Sequence, residues 1–77
     1  MLDAKIVGSV IREYREKKGI SQEVASGLAG ILRSHFSAIE RGVRRPTIDT
    51  FFRIAYSLDV TPSELMKAIE IRVGTNN

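Results

Sequence analysis

Residues 21–46, SQEVASGLAGILRSHFSAIERGVRRP, decide the fold of this chain. They predict two short helices, the first over about 22–29 and the second over about 33–41. Ser21 is a suitable N-cap acceptor for the first helix, and Gly30 supplies the left-handed residue that ends it. The second helix ends in the same way at the next glycine. Two short helices joined by a tight glycine turn are the plan of a helix-turn-helix, which places its second helix in the major groove of DNA.

The chain has 77 residues, which predicts one domain of modest stability that dimerisation would support. It has no cysteine and one histidine, so we expect neither disulfides nor a metal site, and nothing indicates a cofactor or a small-molecule ligand. No apolar run approaches the roughly 20 residues of a membrane span. The first residues carry charges throughout and lack the apolar centre of a signal peptide. These features predict a cytoplasmic protein without catalytic motifs.

The net charge of +3 is concentrated in one segment of the chain. Between residues 33 and 45 there are four arginines and one acid, Glu40, whereas eight basic and eight acidic residues cancel elsewhere. A local cationic patch is the expected footprint of phosphate binding. Charge alone fits a solvated positive loop equally well.

Helical periodicity extends over most of the chain, and no period-2 pattern is present. We predict an all-α fold of five helices. Besides the two of the helix-turn-helix, one helix precedes them over about 4–18, and two follow, one that begins near residue 48 and one over about 62–71. Asp3, Thr47 and Thr61 are the expected N-caps, and the last belongs to a T-x-x-E capping box. The final GTNN is expected to fray. The residues predicted to face the core are Val7, Val10, Ile11, Tyr14, Val24, Ala25, Leu28, Ala29, Phe36, Ile39, Ile48, Phe51, Ile54, Ala55, Leu58 and Leu65.

The chain resembles the Cro/repressor (Xre) family of helix-turn-helix DNA-binding proteins. The matching segments are VGSVIREYREKKGISQE, AG at 29–30, SAIERGVRRPTIDT and IAYSLDVTPSEL, in this order and without gaps. The resemblance implies a lambda-repressor-like five-helix domain that binds double-stranded DNA and regulates transcription. The size and the short C-terminal extension further resemble stand-alone controller proteins of restriction-modification systems. The alternative is an antitoxin, or another protein-interaction module, that binds DNA secondarily.

The resemblance also assigns roles to individual residues. Gln22 matches a glutamine that contacts phosphate in relatives, and Arg15 and Glu40 match a pair that ties the first helix to the recognition helix. The outward positions of the recognition helix, which are expected to contact bases, are Arg33, Ser34, Ser37 and Ala38.

Physical arguments support part of this assignment. Arg33 lies at the end of the recognition helix that reaches base edges, where an arginine can bond guanine in a bidentate way; a phosphate contact is the other possibility. Arg41, Arg44 and Arg45 are predicted phosphate contacts, which fix register without reading sequence. His35 is a further candidate, although a half-buried histidine without a special role is slightly favoured.

Three positions depart from the family pattern. Leu32 replaces a small polar cap before the recognition helix, and Ala25–Ser26 replaces the usual leucine and alanine of the preceding helix. Gly27 in the middle of that helix costs about 1 kcal/mol relative to alanine. These departures affect the packing of that helix more than the fold.

The last predicted helix is more apolar than the end of a monomer needs. Leu65 is expected to be core, whereas Met66, Ile69 and Val73 are expected to help form a two-fold interface. A symmetric homodimer would present two recognition helices to a near-palindromic operator. The alternative is that this helix packs entirely on its own core.

Overall fold

The computed structural model describes residues 2–76, which form five α-helices and no strand. None of these helices is both long enough and apolar enough to cross a membrane. The helices are α1 (Ala4–Lys18), α2 (Gln22–Ala29), α3 (Arg33–Glu40), α4 (Ile48–Ser57) and α5 (Pro62–Asn76).

The helix boundaries follow from local capping. The side-chain oxygens of Asp3, Ser21, Thr47 and Thr61 each accept a backbone N–H of the first turn of α1, α2, α4 and α5. Gly19 and Gly30 end α1 and α2 in the left-handed conformation, with φ of 75° and 69°. The predicted starts and ends of α1 and α2 are thereby confirmed.

α5 is longer than predicted. It continues past Ile71 to Asn76 and includes Gly74, whose φ is not positive. The predicted end near Ile71 is therefore wrong, because Gly74 does not adopt the left-handed conformation in which glycine commonly ends a helix. The fraying of the last residues stays a prediction. Residue 77 lies outside the described residues.

All five helices contribute to one apolar core. α2 packs against α3 and α4, while α1 packs against α3 and α5. The fully buried large side chains are Val10, Ile11, Phe36, Ile39, Ile54, Leu65 and Ile69. Because α3 is held from one side by α1 and from the other by α2, its orientation is fixed by the core.

Three residues predicted to face this core are exposed instead: Val24 (48%), Leu28 (63%) and Ile48 (80%). α2 turns Ala25, Ser26 and Ala29 inward, so that small side chains form its buried face. Ile48 is the first residue of α4 and lies outside the stripe that begins at Phe51. The other residues predicted to face the core are buried, except for Tyr14, which is partly buried and packs against it.

Candidate nucleic-acid interface

The C-terminal end of α3 lies so close to α1 that only glycine fits between them. A Cβ atom on Gly8 would overlap the carbonyl oxygens of Ile39 and Glu40 and would lie 2.8 Å from the carbonyl carbon of Glu40. Two residues after α3, Gly42 has a φ of 76°, and a Cβ there would lie 2.7 Å from the Cα of Lys5. These two backbone contacts anchor the end of α3 on α1.

An ion pair fixes the same end of α3. Arg15 Nε donates to Glu40 Oε2 at 2.7 Å and its Nη2 donates to Oε1 at 3.1 Å, while Nη1 donates to the carbonyl of Ile20 at 2.9 Å. The side chains are 12% and 2% exposed. The hydrogen bond to Glu40 raises the pKa of Arg15 above its ordinary value, although burial opposes the shift. The predicted tie between α1 and α3 is confirmed.

Gln22 joins this network at the start of α2. Its Nε2 donates to Glu40 Oε1 at 2.8 Å, so Glu40 accepts hydrogen bonds from both α1 and α2. This bond was not predicted. It fixes the orientation of the Gln22 side-chain amide beside α3. An ionised carboxylate can only accept hydrogen bonds, so the NH₂ group of the amide must face Glu40.

The first turn of α3 is the most open part of the helix-turn-helix. Leu32, Arg33 and Ser34 are exposed, and the Arg33 side chain has no hydrogen-bond or ion-pair partner among the described residues. One turn further on, Ser37 and Ala38 are half-buried. The four predicted base-contacting residues thus share one helix and retain accessible surface.

His35 is half-buried. This burial is compatible with both predicted roles, a phosphate contact and a histidine without a special role. Leu32 precedes α3 with an extended backbone and makes no side-chain cap, yet α3 begins at Arg33 as predicted. The substitution of the usual polar cap therefore changes the surface before α3 and leaves its start unchanged.

The three arginines after α3 differ in their side-chain partners. Arg41 Nε donates to Ser37 Oγ at 3.4 Å, a long bond between two predicted DNA contacts. Arg44 is exposed and has no side-chain partner within residues 2–76. Arg45 instead donates a short hydrogen bond to the carbonyl of Leu2. Arg45 is exposed, and the loop directs its side chain toward the N-terminal residues. The phosphate contacts of Arg41, Arg44 and Arg45 stay predictions.

Arg45 borders an apolar groove of about 490 Å³ between the N-terminal residues, α4 and α5. Four side chains in its lining are substantially exposed, which is unusual for large apolar residues gathered at one place. They are Leu2 (38%), Ile48 (80%), Phe52 (46%) and Met66 (45%). Composition and periodicity did not indicate this groove, because its residues come from three separate segments.

The residues predicted for a dimer interface differ in their surroundings. Met66 is 45% exposed and lines the groove. Ile69 is 1% exposed, so its side chain belongs to the core of its own protomer, and it also lines the groove from below. Val73 is half-buried and packs against the core.

Residues 11–65 match the model of the family described as HTH_3, Helix-turn-helix. The chain belongs to the helix-turn-helix family. The matched segment contains α2, the recognition helix α3 and the loop with Arg44, so the family assignment rests on the elements that form the candidate interface.

Individual helix-turn-helix proteins are similar over most of their length. The uncharacterized HTH-type transcriptional regulator y4dJ of Sinorhizobium fredii is 37% identical over 62 residues, which are 80% of this chain and 80% of that one. The crystal structure of the restriction-modification controller protein C.AhdI from Aeromonas hydrophila is 37% identical, with a TM-score of 0.80 over 84% of this chain and 98% of that chain. The wild-type controller protein C.Esp1396I is 25% identical, with a TM-score of 0.87 over 97% of each chain.

This helix-turn-helix protein is a DNA-binding transcriptional regulator of the Xre type. The narrower resemblance to restriction-modification controller proteins is confirmed by the two similar structures. The relatives quoted are regulators and controller proteins, and they give no support to the antitoxin alternative.

Proposed function

We propose that the protein binds a near-palindromic operator as a homodimer, with α3 of each protomer in the major groove, and thereby controls transcription. The observation that carries the proposal is the division of α3 into two ends. Its C-terminal end is held by Gly8, Gly42 and the Arg15–Glu40 pair, while its first turn presents Arg33 and Ser34 to solvent. A rigidly held helix with an open N-terminal turn is what base reading requires.

Arg33 is the residue with the greatest expected effect on sequence discrimination. Arg33→Ala should lower discrimination at one base pair per half-site by ~1–3 kcal/mol, because a bidentate bond to guanine is lost. The measurement is titration of fluorescent duplexes that carry the operator selected from a random DNA pool, and of a shuffled duplex. Arg53→Ala, which removes an arginine that pairs with Asp49 on α4, is the matched control. An equal loss on operator and shuffled duplex would instead make Arg33 a backbone contact.

Arg44 and Arg45 should differ in a way that the sequence does not predict. Arg44→Ala should weaken binding to every duplex and reduce the slope of log K against log salt by about 1, since one phosphate contact is lost. Arg45→Ala should change this slope less, because its guanidinium already donates to Leu2. The two variants carry the same change in charge, so each controls for the other. Equal slopes for both variants and the wild type would contradict a phosphate contact by Arg44.

A second copy of the chain is the proposed occupant of the apolar groove. Two recognition helices must lie about 34 Å apart to enter successive major grooves on one side of a duplex. A two-fold interface brings the same surface of each protomer together, so that Ile48, Phe52 and Met66 of the two copies would cover one another. This arrangement would remove from water the apolar side chains that a lone protomer leaves exposed.

Met66→Asp is expected to shift the protein toward monomer, because it introduces an unpaired charge into the proposed interface. Operator binding should weaken strongly, while the helix content stays that of the wild type. Sedimentation at micromolar concentration, with circular dichroism on the same samples, measures both properties. Tyr56→Asp is the control, since Tyr56 is 63% exposed and does not line the groove. A wild type that sediments as a monomer and binds its operator as one copy would rule out the dimer.

A further inference from the structure

Leu32 occupies an unusual place for a large aliphatic side chain. It is the residue directly before α3, has an extended backbone with φ −66° and ψ 142°, and is 75% exposed. It is neither a core residue nor part of the lining of the apolar groove. Its side chain therefore faces solvent at the end of the helix that is proposed to approach DNA.

The neighbouring helices show what Leu32 replaces. At the corresponding position before α2, α4 and α5, the hydroxyls of Ser21, Thr47 and Thr61 accept a backbone N–H from the first turn. Leu32 makes no such bond. An aliphatic residue here loses the stabilisation that a polar cap gives without gaining burial in the protomer, so the folded protomer gives no reason for it.

We propose that Leu32 recognises a thymine by contact with its 5-methyl group. The methyl group of thymine is the apolar feature that base edges present in the major groove, and apolar side chains read it by contact. The inference rests on the proposed function, which places the first turn of α3 in that groove. Since Arg33 follows directly, the thymine lies beside the base pair that Arg33 reads. The exposed aliphatic surface is then covered only when the protein is bound to its site.

Replacement of thymine by uracil tests this contact, because uracil lacks the methyl group and keeps the hydrogen-bonding edge. Each thymine of the operator selected by the wild-type protein is replaced in turn at both symmetric positions, and Kd is measured by fluorescence anisotropy. We expect one position at which uracil weakens wild-type binding about fourfold per half-site, the value for burial of one methyl-sized group. In Leu32→Ala the same replacement should change Kd less than twofold, while other positions respond as in the wild type.

Leu28→Ala is the matched control, since Leu28 is 63% exposed and lies on α2. It should keep the full uracil response of the wild type. Both truncations remove exposed side chains, so thermal unfolding should confirm that neither variant loses its fold. A flat uracil scan for the wild type, a selected operator without thymine in the half-site, or an unchanged response in Leu32→Ala would each overturn the proposal. Selection of a consensus that Arg33→Ala no longer discriminates would support the proposed function, so any of these three outcomes would then contradict only the contact between Leu32 and thymine. If no consensus emerges from the selection, the proposed function is contradicted as well.

Discussion

Arg15→Ala is expected to lower the free energy of unfolding by about 3–5 kcal/mol, the range for breaking a buried ion pair at one partner. Glu40 has a side chain that is 2% exposed, and Arg15 donates two of its hydrogen bonds. The remaining donor, Gln22, is neutral and cannot balance the charge of the carboxylate. Small domains are stable by only ~5–15 kcal/mol in total, so the variant should be close to unfolding. Urea denaturation followed by circular dichroism measures the loss.

Arg12→Ala provides a close comparison for this prediction. Arg12 lies on the same helix and pairs with Glu16, but their side chains are 62% and 55% exposed. Removal of an exposed pair typically changes stability by less than ~1 kcal/mol. If Arg15→Ala and Arg12→Ala unfold at the same urea concentration, the pair that holds α3 contributes no more than a surface contact.

Gly8→Ala is expected to destabilise the protein by at least about 3 kcal/mol, at the upper end of the range for overpacking. The added methyl group would overlap the carbonyl oxygens of Ile39 and Glu40, which are backbone atoms at the end of α3 and cannot turn away as a side chain could. α1 and α3 would have to separate, and the recognition helix would move with respect to the rest of the domain. Thermal and urea unfolding should both show the loss, and operator binding should weaken in the folded fraction.

Gly27→Ala is the matched control, because it makes the same change within another helix. A Cβ atom on Gly27 would have no neighbour within 4 Å. This substitution should therefore stabilise the protein by up to about 1 kcal/mol through helix propensity alone. Opposite signs for the two variants are expected, and a neutral Gly8→Ala would mean that α1 and α3 are not in close contact.

The helix plan was predictable because it depends on neighbours in the sequence. Ser21, Gly30 and Thr61 act on the backbone within a few residues, and their effect on α2 and α5 matches the prediction. Gly74 shows the limit of this reasoning. A glycine near the end of an apolar pattern is a common stop signal, but its conformation is chosen by the surrounding structure, and here it remains helical.

The faces of the helices were less predictable. On α2, Val24 and Leu28 fit the same periodic stripe as Ala25 and Ala29, so all four were predicted to face the core. Apolarity alone would favour burial of the two larger residues. The structure buries the small residues, since they allow α2 to approach α3 and α4 closely. Ile69 raised the same difficulty on α5, where periodicity cannot tell the core of the protomer from an interface.

The direction of side chains in the loop after α3 could not be predicted at all. Arg44 and Arg45 are adjacent and identical in type, yet only Arg45 reaches the carbonyl of Leu2. Long-range contacts of this kind depend on the path of the loop, which local sequence does not determine. The same holds for the bond from Gln22 to Glu40, which joins residues that are distant in the chain.

The two ends of α3 differ in how firmly they are held, and this difference affects how such a regulator can diverge. The close contacts at Gly8 and the Arg15–Glu40 pair act on its C-terminal half, and Phe36 is buried in the core in its N-terminal half. Leu32, Arg33 and Ser34 are exposed and support no part of the core. If α3 binds DNA as proposed, substitutions in this first turn change the recognised DNA without an accompanying loss of stability. A new operator preference is accessible by single steps, each of which leaves a folded protein for the next.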